Sequence, residues 1–324
     1  MSWHKNVCNS TIRDQSILMN NLDLSIIIVS FNTKDLLRET IRSIYKTANK
    51  LSYEIIVVDN GSNDGSPEMV EAEFKDVKLK RNRENVGFAK ANNQAMKIAS
   101  GKYILLLNSD AIVEEKTIEK LIDFMETHQR SAAVGPKVLN VDGTLQSKGF
   151  CFPSVLLSVI ILFRIPRFLS QEKLMKWFSK YYWDADEVRR VDWISGCCLL
   201  MKRKMIEEIG WLCEEFFMYH EDEEWCFRAK KKKYEVWYVP TAEVKHKNQS
   251  SPLTDRFDIG KISAKKYYEK TIGIYQGILI SIIYILSNMV KLLRLIIQTK
   301  RADEYEETKK RLKSEIRFLG FMLV

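Results

Sequence analysis

The stretch Ile55-Ile56-Val57-Val58-Asp59-Asn60-Gly61-Ser62 decides the fold class of this chain. Its first four residues form an uninterrupted β-branched run, which is typical of a strand buried on both faces of a parallel sheet. The next four residues have the composition of a loop. In open parallel sheets, ligands bind outside the carboxyl ends of the strands. The stretch therefore predicts a buried strand that ends in an acidic ligand-binding loop.

Similar strands alternate with helical patterns on both sides of this stretch. Residues Ile26 to Val29 predict the first strand, and Asn32 follows as the predicted N-cap of a helix. A second helix is predicted from Val86 to Ser100, with Gly101 as its stop. Further strands are predicted at Val77 to Lys80 and at Tyr103 to Leu107. The alternation predicts an α/β fold with a mostly parallel sheet and helices on both faces.

The second half of the chain has a more mixed pattern. Helices are predicted around Ile118 to Met125 and from Glu221 to Lys232, and Asp142-Gly143 predicts a turn. Strands are predicted from Trp193 to Met201 and from Glu235 to Val239, with Pro240 ending the second one.

The composition is that of a globular protein and excludes several classes. The chain has 324 residues, 46% of them apolar, and a net charge of +9. No two of its six cysteines form a C-x-x-C pair, which excludes zinc-ribbon and thioredoxin interpretations and favours a reducing compartment. Residues Met1 to Asn21 lack the apolar segment of a signal peptide. These features predict a cytoplasmic protein.

The C-terminal quarter is basic and contains a long apolar helix. From Ser251 onward there are 14 Lys or Arg residues against 8 Asp or Glu. Between Ile272 and Gln298, polar and small residues recur every three or four positions, which predicts one narrow polar stripe on a wide apolar helix. That pattern, beside a basic tail, favours attachment to an anionic membrane surface. A true span over Thr271 to Val290 and simple packing on the catalytic domain are the alternatives.

Two acidic residues follow predicted strands at positions suited to chemistry. Asp59 can accept the N–H of a nucleobase, and Asp110, after Asn108-Ser109, can hold a hard divalent cation that binds phosphate oxygens. For a single Asp, a simple loop or capping role is the more common explanation, so the surrounding motifs must decide.

Several ordered motifs resemble those of family 2 glycosyltransferases, and the closest subgroup is rhamnosyltransferase-like. The similarity extends from about Leu24 to Ser250. The motifs that carry it are Val57 to Ser66, Asn85 to Asn93, Asn108-Ser109-Asp110, Gly135 to Asn140 with Asp142-Gly143, Ser195 to Leu200, and Phe216 to Trp225. Three sites depart from the family pattern. Asn108 stands where many relatives have Asp, Glu224-Trp225 stands where Asp-Leu is frequent, and Lys233 stands where a helix-ending glycine is expected.

The resemblance implies a GT-A fold, with a Rossmann-like sheet, and inverting transfer from a nucleotide-diphospho-sugar. It implies that Asp222 is the general base, with Glu221 as the next candidate. It implies that Asp110 and His246 bind Mn²⁺ or Mg²⁺ on the diphosphate. The residues expected to bind the nucleotide-sugar are Ser30, Phe31, Asn32, Asp59, Asn85, Gly87, Lys90 and Asn108.

The local sequence around Asp222 agrees with this role. Trp225, Cys226 and Ala229 follow it at helical spacing, so Asp222 is predicted on the inward face of its helix. Glu223 and Lys230 are predicted to point elsewhere.

The resemblance also divides the chain into three parts. We expect an N-terminal extension over 1–23, a GT-A domain over 24–250, and a basic amphipathic helical region over 251–324. The GT-A domain comprises a nucleotide-binding half, 24–112, and an acceptor half, 113–250.

The expected partners are a nucleotide-diphospho-sugar donor, such as dTDP-rhamnose or a UDP-sugar, and a saccharide or lipid-linked glycan acceptor. An anionic membrane surface is a third expected partner, on the cytoplasmic face, and nucleic acid is not expected. Two alternatives stay open at this point: a nucleotidyltransferase that makes a sugar nucleotide, and a non-enzymatic basic protein that binds a membrane surface. The first would need a glycine-rich phosphate loop, and Ser30 to Lys34 contain no glycine.

Overall fold

A computed structural model describes residues 22–48, 51–163, 169–181, 183–247 and 256–298, with scattered positions between 308 and 322. Most of the expected N-terminal extension and most of the tail after residue 298 lie outside the described residues.

The nucleotide-binding half alternates strands and helices as expected. Its elements are β1 (Leu24–Ser30), α1 (Lys34–Thr47), β2 (Tyr53–Asp59), α2 (Ser66–Glu73), β3 (Lys78–Arg81), α3 (Phe88–Met96) and β4 (Tyr103–Asn108). Helix α2, with a proline in its first turn, was not predicted.

The acceptor half and the C-terminal region contain shorter and more varied elements. They are β5 (Ala111–Val113), α4 (Thr117–Thr127), β6 (Ser131–Leu139), β7 (Leu145–Ser147), α5 (Val155–Leu162), α6 (Gln171–Trp177), β8 (Arg189–Val191), β9 (Cys198–Lys202), α7 (Arg203–Ile209), α8 (Glu221–Lys231), β10 (Glu235–His246), α9 (Arg256–Lys270) and α10 (Ile274–Gln298).

One mixed sheet joins the two halves, in the order β3-β2-β1-β4-β9-β6-β10-β5. Strands β3, β2, β1 and β4 pair with one another in parallel, and β6 pairs with β10 in parallel. Strand β9 runs antiparallel between β4 and β6, and most paired residues lie in the parallel ladders. The predicted α/β class, with a mostly parallel sheet, is confirmed.

The sheet separates two hydrophobic layers. One contains Leu37 and Ile41 of α1 with Leu121 of α4. The other contains Ala91 of α3 with Trp225 and Cys226 of α8. Because alternate residues of a strand face opposite sides, Ile26 and Ile28 enter the first layer and Ile27 enters the second. This burial on both faces explains why the strands appear as unbroken apolar runs.

Three predicted boundaries in the nucleotide-binding half are wrong. Asn32 has a positive φ of 54° and is not the N-cap; Thr33 holds that position, without a side-chain cap bond. Helix α3 begins at Phe88, because Asn85 to Gly87 form a turn closed by the Asn85 side chain. Gly101 does not stop α3, whose C-cap is Lys97; a Cβ on Gly101 would lie 2.4 Å from the backbone of β1.

Two predicted strands also differ from the observed ones. The strand expected at Trp193 to Met201 begins only at Cys198, and Trp193 forms an isolated bridge with Phe150. Pro240 does not end β10, which continues to His246 through a register shift between Val239 and Glu243. The irregular register accommodates a residue without an N–H to donate.

Helix α10 packs its small-residue face on the protein and exposes much of its apolar face. Gly277 lies against the Tyr268 ring of α9, and Ser281 and Ile283 are buried. The helix contacts α5 and α9. The part of the predicted polar stripe formed by Gly277 and Ser281 therefore faces the domain, whereas Lys291, Arg294 and Gln298 lie outside the described side chains. Within the described part of the chain, no helix is long and apolar enough to cross a membrane.

Candidate active site

The loop after β2 is folded around the Asp59 carboxylate. Its Oδ2 accepts hydrogen bonds from the backbone N–H groups of Gly61, at 3.1 Å, and Ser62, at 2.9 Å. Its Oδ1 is buried and has no partner. An unpaired buried acceptor is costly, so this oxygen is suited to accept an N–H from a bound ligand.

The loops after β1 and β2 hold each other in place. The Asn32 side chain accepts from the Asn63 N–H at 2.8 Å, and the Asn32 N–H donates to Ser62 Oγ at 2.9 Å. The Lys34 N–H, at the start of α1, donates to Asp64 Oδ2 at 2.8 Å. The Asn32 side chain therefore holds the loop after β2 in place, although Asn32 is not a helix cap.

The turn before α3 contacts the segment that leads to the predicted base. Asn85 Oδ1 accepts from the Gly87 N–H at 3.0 Å, and the Phe88 N–H donates to the Phe217 carbonyl at 2.6 Å. Gly87 has a φ of 87°, and a Cβ there would lie 2.4 Å from that carbonyl oxygen. Glycine is therefore required here both by conformation and by space.

Asp110 and His246 meet at the ends of neighbouring elements. His246 Nε2 lies 3.0 Å from Asp110 Oδ1 and 3.2 Å from Asn108 Nδ2. Strand β10 brings the imidazole to β5, where His246 pairs with Ala111. Within the described residues, no group of three or more His, Cys, Asp or Glu side chains is arranged to hold a metal ion.

Gln146 orients the His246 ring. Gln146 Nε2 donates to Asn140 Oδ1 at 2.8 Å and to the His246 carbonyl at 3.2 Å, so Gln146 Oε1 accepts from His246 Nδ1 at 2.7 Å. His246 Nε2 then faces the Asp110 carboxylate with its lone pair. A cation held between these two atoms would contact both of them. Mixed carboxylate and imidazole donors, backed by an oriented second ring nitrogen, fit a divalent cation.

Asp222 lies in the first turn of α8 and is buried, as predicted. Its Oδ2 accepts from the Gly196 N–H at 2.6 Å, and its Oδ1 accepts from the Glu223 N–H at 2.7 Å. Burial is the main cause of a raised pKa for Asp222; the two N–H groups oppose the rise, and the Glu223 charge adds to it. A fixed carboxylate with a raised pKa is suited to accept a proton.

Glu221 has a different environment from Asp222. Its Oε2 is buried without a partner. Burial, followed by the neighbouring Asp222 charge, raises the pKa of Glu221 well above its usual value. Asp222 is therefore the carboxylate that is better held by hydrogen bonds.

Helix α9 packs on the turn that precedes Asp222. Tyr219 and His220 both have positive φ values, 71° and 69°, which non-glycine residues rarely adopt. The His220 ring stacks on Tyr267 of α9 with centroids 5.3 Å apart, and His220 Nδ1 lies 2.8 Å from Glu223 Oε2. Ser263 of α9 also donates to the Met218 carbonyl at 2.7 Å. Glu223 is thus buried in this contact and does not point away, contrary to the sequence prediction.

These elements surround a pocket of about 430 Å³. Six of the predicted site residues line it: Phe31, Asn85, Asn108, Asp110, Glu221 and Asp222. Ser30, Asn32, Asp59, Gly87 and His246 support the loops and strand ends around it. Lys90 is exposed on α3 and is not brought into the pocket.

Three residues that line the pocket are not among the site residues predicted from the sequence: Thr33, Trp193 and Gly260. Trp193 immediately precedes the Ser195-Gly196 motif, and that position was the available signal. No motif lies next to Gly260 in the sequence, because Gly260 belongs to α9, within the region 251–324 that is expected to be separate from the GT-A domain.

The mixed sheet, with a pocket at the ends of its parallel strands, is that of a GT-A fold. Residues 25–210 match the family described as glycosyl transferase family 2. The chain belongs to that family. Membership in it favours glycosyl transfer over the nucleotidyltransferase alternative.

Relatives include two curated enzymes and a solved structure. The chain is 26% identical to an N-acetylglucosaminyl-diphospho-decaprenol L-rhamnosyltransferase of Mycobacterium tuberculosis, over 72% of this chain and 78% of the relative. It is 24% identical to the low-salt glycan biosynthesis hexosyltransferase Agl10 of Haloferax volcanii, over 74% and 71%. The fold is similar to that of the mannosyltransferase PcManGT from Pyrobaculum calidifontis, solved with GDP-Man and Mn²⁺. The TM-score is 0.55 at 15% identity, over 94% of this chain and 86% of that one. The predicted family and its rhamnosyltransferase-like character are confirmed.

Proposed function

We propose that this enzyme performs metal-dependent, inverting transfer of a sugar from a nucleotide-diphospho-sugar. The observation that best supports this function is that the candidate metal ligand and the candidate base line the same pocket. Asp110, which contacts His246, and the buried Asp222 carboxylate line one pocket, although Asp110 and Asp222 are far apart in the sequence.

The donor is proposed to bind over the loops after β1, β2 and β4. Asp59 Oδ1, which lacks a partner, would accept an N–H of the base. Phe31, Asn85 and Asn108 line the same pocket and would contact the rest of the nucleotide. Lys90 is exposed and does not line the pocket, and its contact with the donor stays a prediction.

Asp110 and His246 would hold a Mn²⁺ or Mg²⁺ ion, as the oriented donors described above support. Such an ion supplies neutralisation of the charge that develops on the leaving nucleoside diphosphate. Gln146 would keep His246 Nε2 directed toward Asp110, and the Asn108 amide would stay in contact with the ring.

Asp222 would act as the general base. An acceptor hydroxyl placed beside its carboxylate would lose its proton to Asp222 as the oxygen attacks the anomeric carbon. The Gly196 and Glu223 N–H groups would hold the carboxylate in position. One displacement from the side opposite the leaving group inverts the anomeric carbon.

The relatives suggest which donor and acceptor to test first. One is named for rhamnosyl transfer to an N-acetylglucosaminyl-diphospho-lipid, and another for hexosyl transfer in glycan biosynthesis. We propose dTDP-rhamnose or a UDP-sugar as donor and a saccharide or lipid-linked glycan as acceptor. We also propose a catalytic unit that extends beyond residue 250, because Gly260 of α9 lines the pocket.

Attachment to the cytoplasmic face of an anionic membrane is the proposed location. Tyr275, Leu279, Ile282, Leu286 and Met289 follow one another at helical spacing on α10, and all are exposed, Tyr275 by 85%. A helix whose apolar face is exposed beside a basic tail is suited to lie at a lipid surface.

Two experiments test these proposals. NMR of the product from dTDP-rhamnose or a UDP-sugar, with a GlcNAc-containing acceptor, should show an inverted anomeric centre; a retained configuration would contradict the mechanism. The full-length protein should float with anionic vesicles, and a Leu279→Glu, Leu286→Glu variant should not. Equal flotation of both proteins would contradict the proposed attachment.

A further inference from the structure

A second cavity, of about 480 Å³, lies at the end of the sheet where β6 and β10 begin. The candidate active site lies toward the other end of β10, at His246. The two cavities share no lining residue. Along α8, Lys230 of the second cavity is eight residues from Asp222, which corresponds to about 12 Å of helix. The volume of the second cavity is in the range of small-molecule binding sites.

The wall of this second cavity is strongly basic. Its cationic side chains are those of Arg130, Lys180, Arg189, Arg190, Lys230 and Lys233. Among the described residues, the carboxylates on this wall are those of Asp192 and Glu235. A concave surface with such an excess of one sign concentrates the potential and attracts an ion of opposite charge.

The ion pairs on this wall do not neutralise it. Asp192 is paired with Lys230 and lies 3.9 Å from Lys180, so two cations share one carboxylate. Arg190 is paired with Glu235 at 3.1 Å. Within the described chain, Arg130 and Lys233 have no carboxylate within ion-pair distance, and Arg130 instead donates to the Lys233 carbonyl.

Lys233 occupies a backbone position that favours glycine. It follows the end of α8 with a φ of 64°, in the left-handed region. Glycine would adopt this conformation without strain. The chain has a lysine at this position, and Lys233 is one of the residues that line the basic cavity.

We propose that this cavity binds a phosphate or diphosphate ester. Several cations around one cavity match a group with more than one negative charge, and the arginine guanidinium forks match phosphate oxygens. Val191 and Tyr234, which are partly exposed on the same wall, provide apolar surface for the organic part of the ester. The ester is either a soluble phosphorylated compound or the headgroup of an anionic lipid. The proposal does not depend on the proposed transfer reaction.

Calorimetric titration of the full-length protein with inorganic pyrophosphate tests the proposal. Excess EDTA is included to prevent metal-dependent binding of pyrophosphate at Asp110. We expect saturable binding, and Lys233→Gly should weaken it by roughly tenfold. Asp110→Ala should retain it.

The Lys233→Gly variant separates binding from folding. Glycine relieves the positive φ, so this variant should melt no lower than the wild type while it loses affinity. Lys97→Ala, which removes an exposed lysine from the end of α3, is the matched control and should retain the wild-type affinity. No saturable binding, or equal losses in Lys233→Gly and Lys97→Ala, would overturn the proposal.

Vesicles distinguish the two sources of the phosphate group. Binding to phosphatidylcholine vesicles that contain phosphatidic acid, compared with phosphatidylcholine alone, is measured for the wild type and Lys233→Gly. A gain from phosphatidic acid that Lys233→Gly loses identifies a lipid headgroup. Pyrophosphate binding without such a gain identifies a soluble ester.

Discussion

The nucleotide-binding half and the acceptor half position their candidate site residues in different ways. In the nucleotide-binding half, Asp59 ends β2 and Asp110 follows β4 by two residues, so a parallel sheet is enough to align them. In the acceptor half, Asp222 depends on Gly196, on the strained His220 turn and, through that turn, on Tyr267 of α9. The positions of Asp59 and Asp110 are therefore set locally, whereas the proposed base is held by contacts between distant parts of the chain.

The largest expected effect is on the base. Asp222→Asn should reduce turnover by roughly 10²- to 10⁴-fold, because the amide cannot take the acceptor proton. The affinity for the nucleoside diphosphate, measured by calorimetry, should stay unchanged, since the donor loops are built separately. Glu221→Gln is the control and should keep most activity. If Glu221→Gln is inactive and Asp222→Asn is active, the base is Glu221.

The metal pair should show a large effect on donor binding. Asp110→Ala should remove Mn²⁺-dependent binding of the nucleoside diphosphate, and EDTA should do the same to the wild type. Gln146→Leu should weaken Mn²⁺ affinity by roughly 10- to 100-fold through the freed His246 ring. Electron paramagnetic resonance of Mn²⁺ measures both effects. An unchanged Mn²⁺ affinity in Gln146→Leu would contradict the orienting role.

The two halves also differ in how well the sequence predicts them. Unbroken apolar strands and adjacent motifs identify Asp59 and Asp110, because periodicity and loop composition are local signals. The predicted end of β10 at Pro240 is wrong, because a register shift depends on the neighbouring strand. The predicted start of β9 at Trp193 is also wrong, because the antiparallel insertion of β9 depends on the strands beside it. No local pattern links Tyr267 to His220, which are 47 positions apart in the numbering. Their contact is a property of the folded chain alone.

A smaller effect is expected from α9. Tyr267→Ala should lower kcat by about tenfold, because His220 loses its stacking partner and the turn before Asp222 relaxes. The KM for the donor should change little, and Tyr267→Phe, which keeps the ring, should restore kcat. A parallel loss of donor affinity in Tyr267→Ala would show that α9 supports the whole domain and not the base alone.

The smallest effect is on stability. Burial and the Asp222 charge raise the pKa of Glu221 in the folded state, so its stabilising contribution is present at low pH and is lost as pH rises through that pKa. Glu221→Gln removes this loss. Its Tm relative to the wild type should therefore increase as the pH rises above about 4.3, the ordinary pKa of a glutamate. Thermal unfolding followed by circular dichroism measures the difference, and a constant difference would contradict it.

A donor screen that measures release of nucleoside diphosphate tests the proposed metal-dependent, base-assisted sugar transfer most directly. The full-length protein is incubated with UDP-, GDP- and dTDP-sugars, an acceptor and Mn²⁺. We expect acceptor-dependent release of nucleoside diphosphate from at least one donor. This release should be lost in EDTA and in the Asp222→Asn variant. Release that persists unchanged in EDTA and in Asp222→Asn would contradict the proposed metal-dependent, base-assisted transfer.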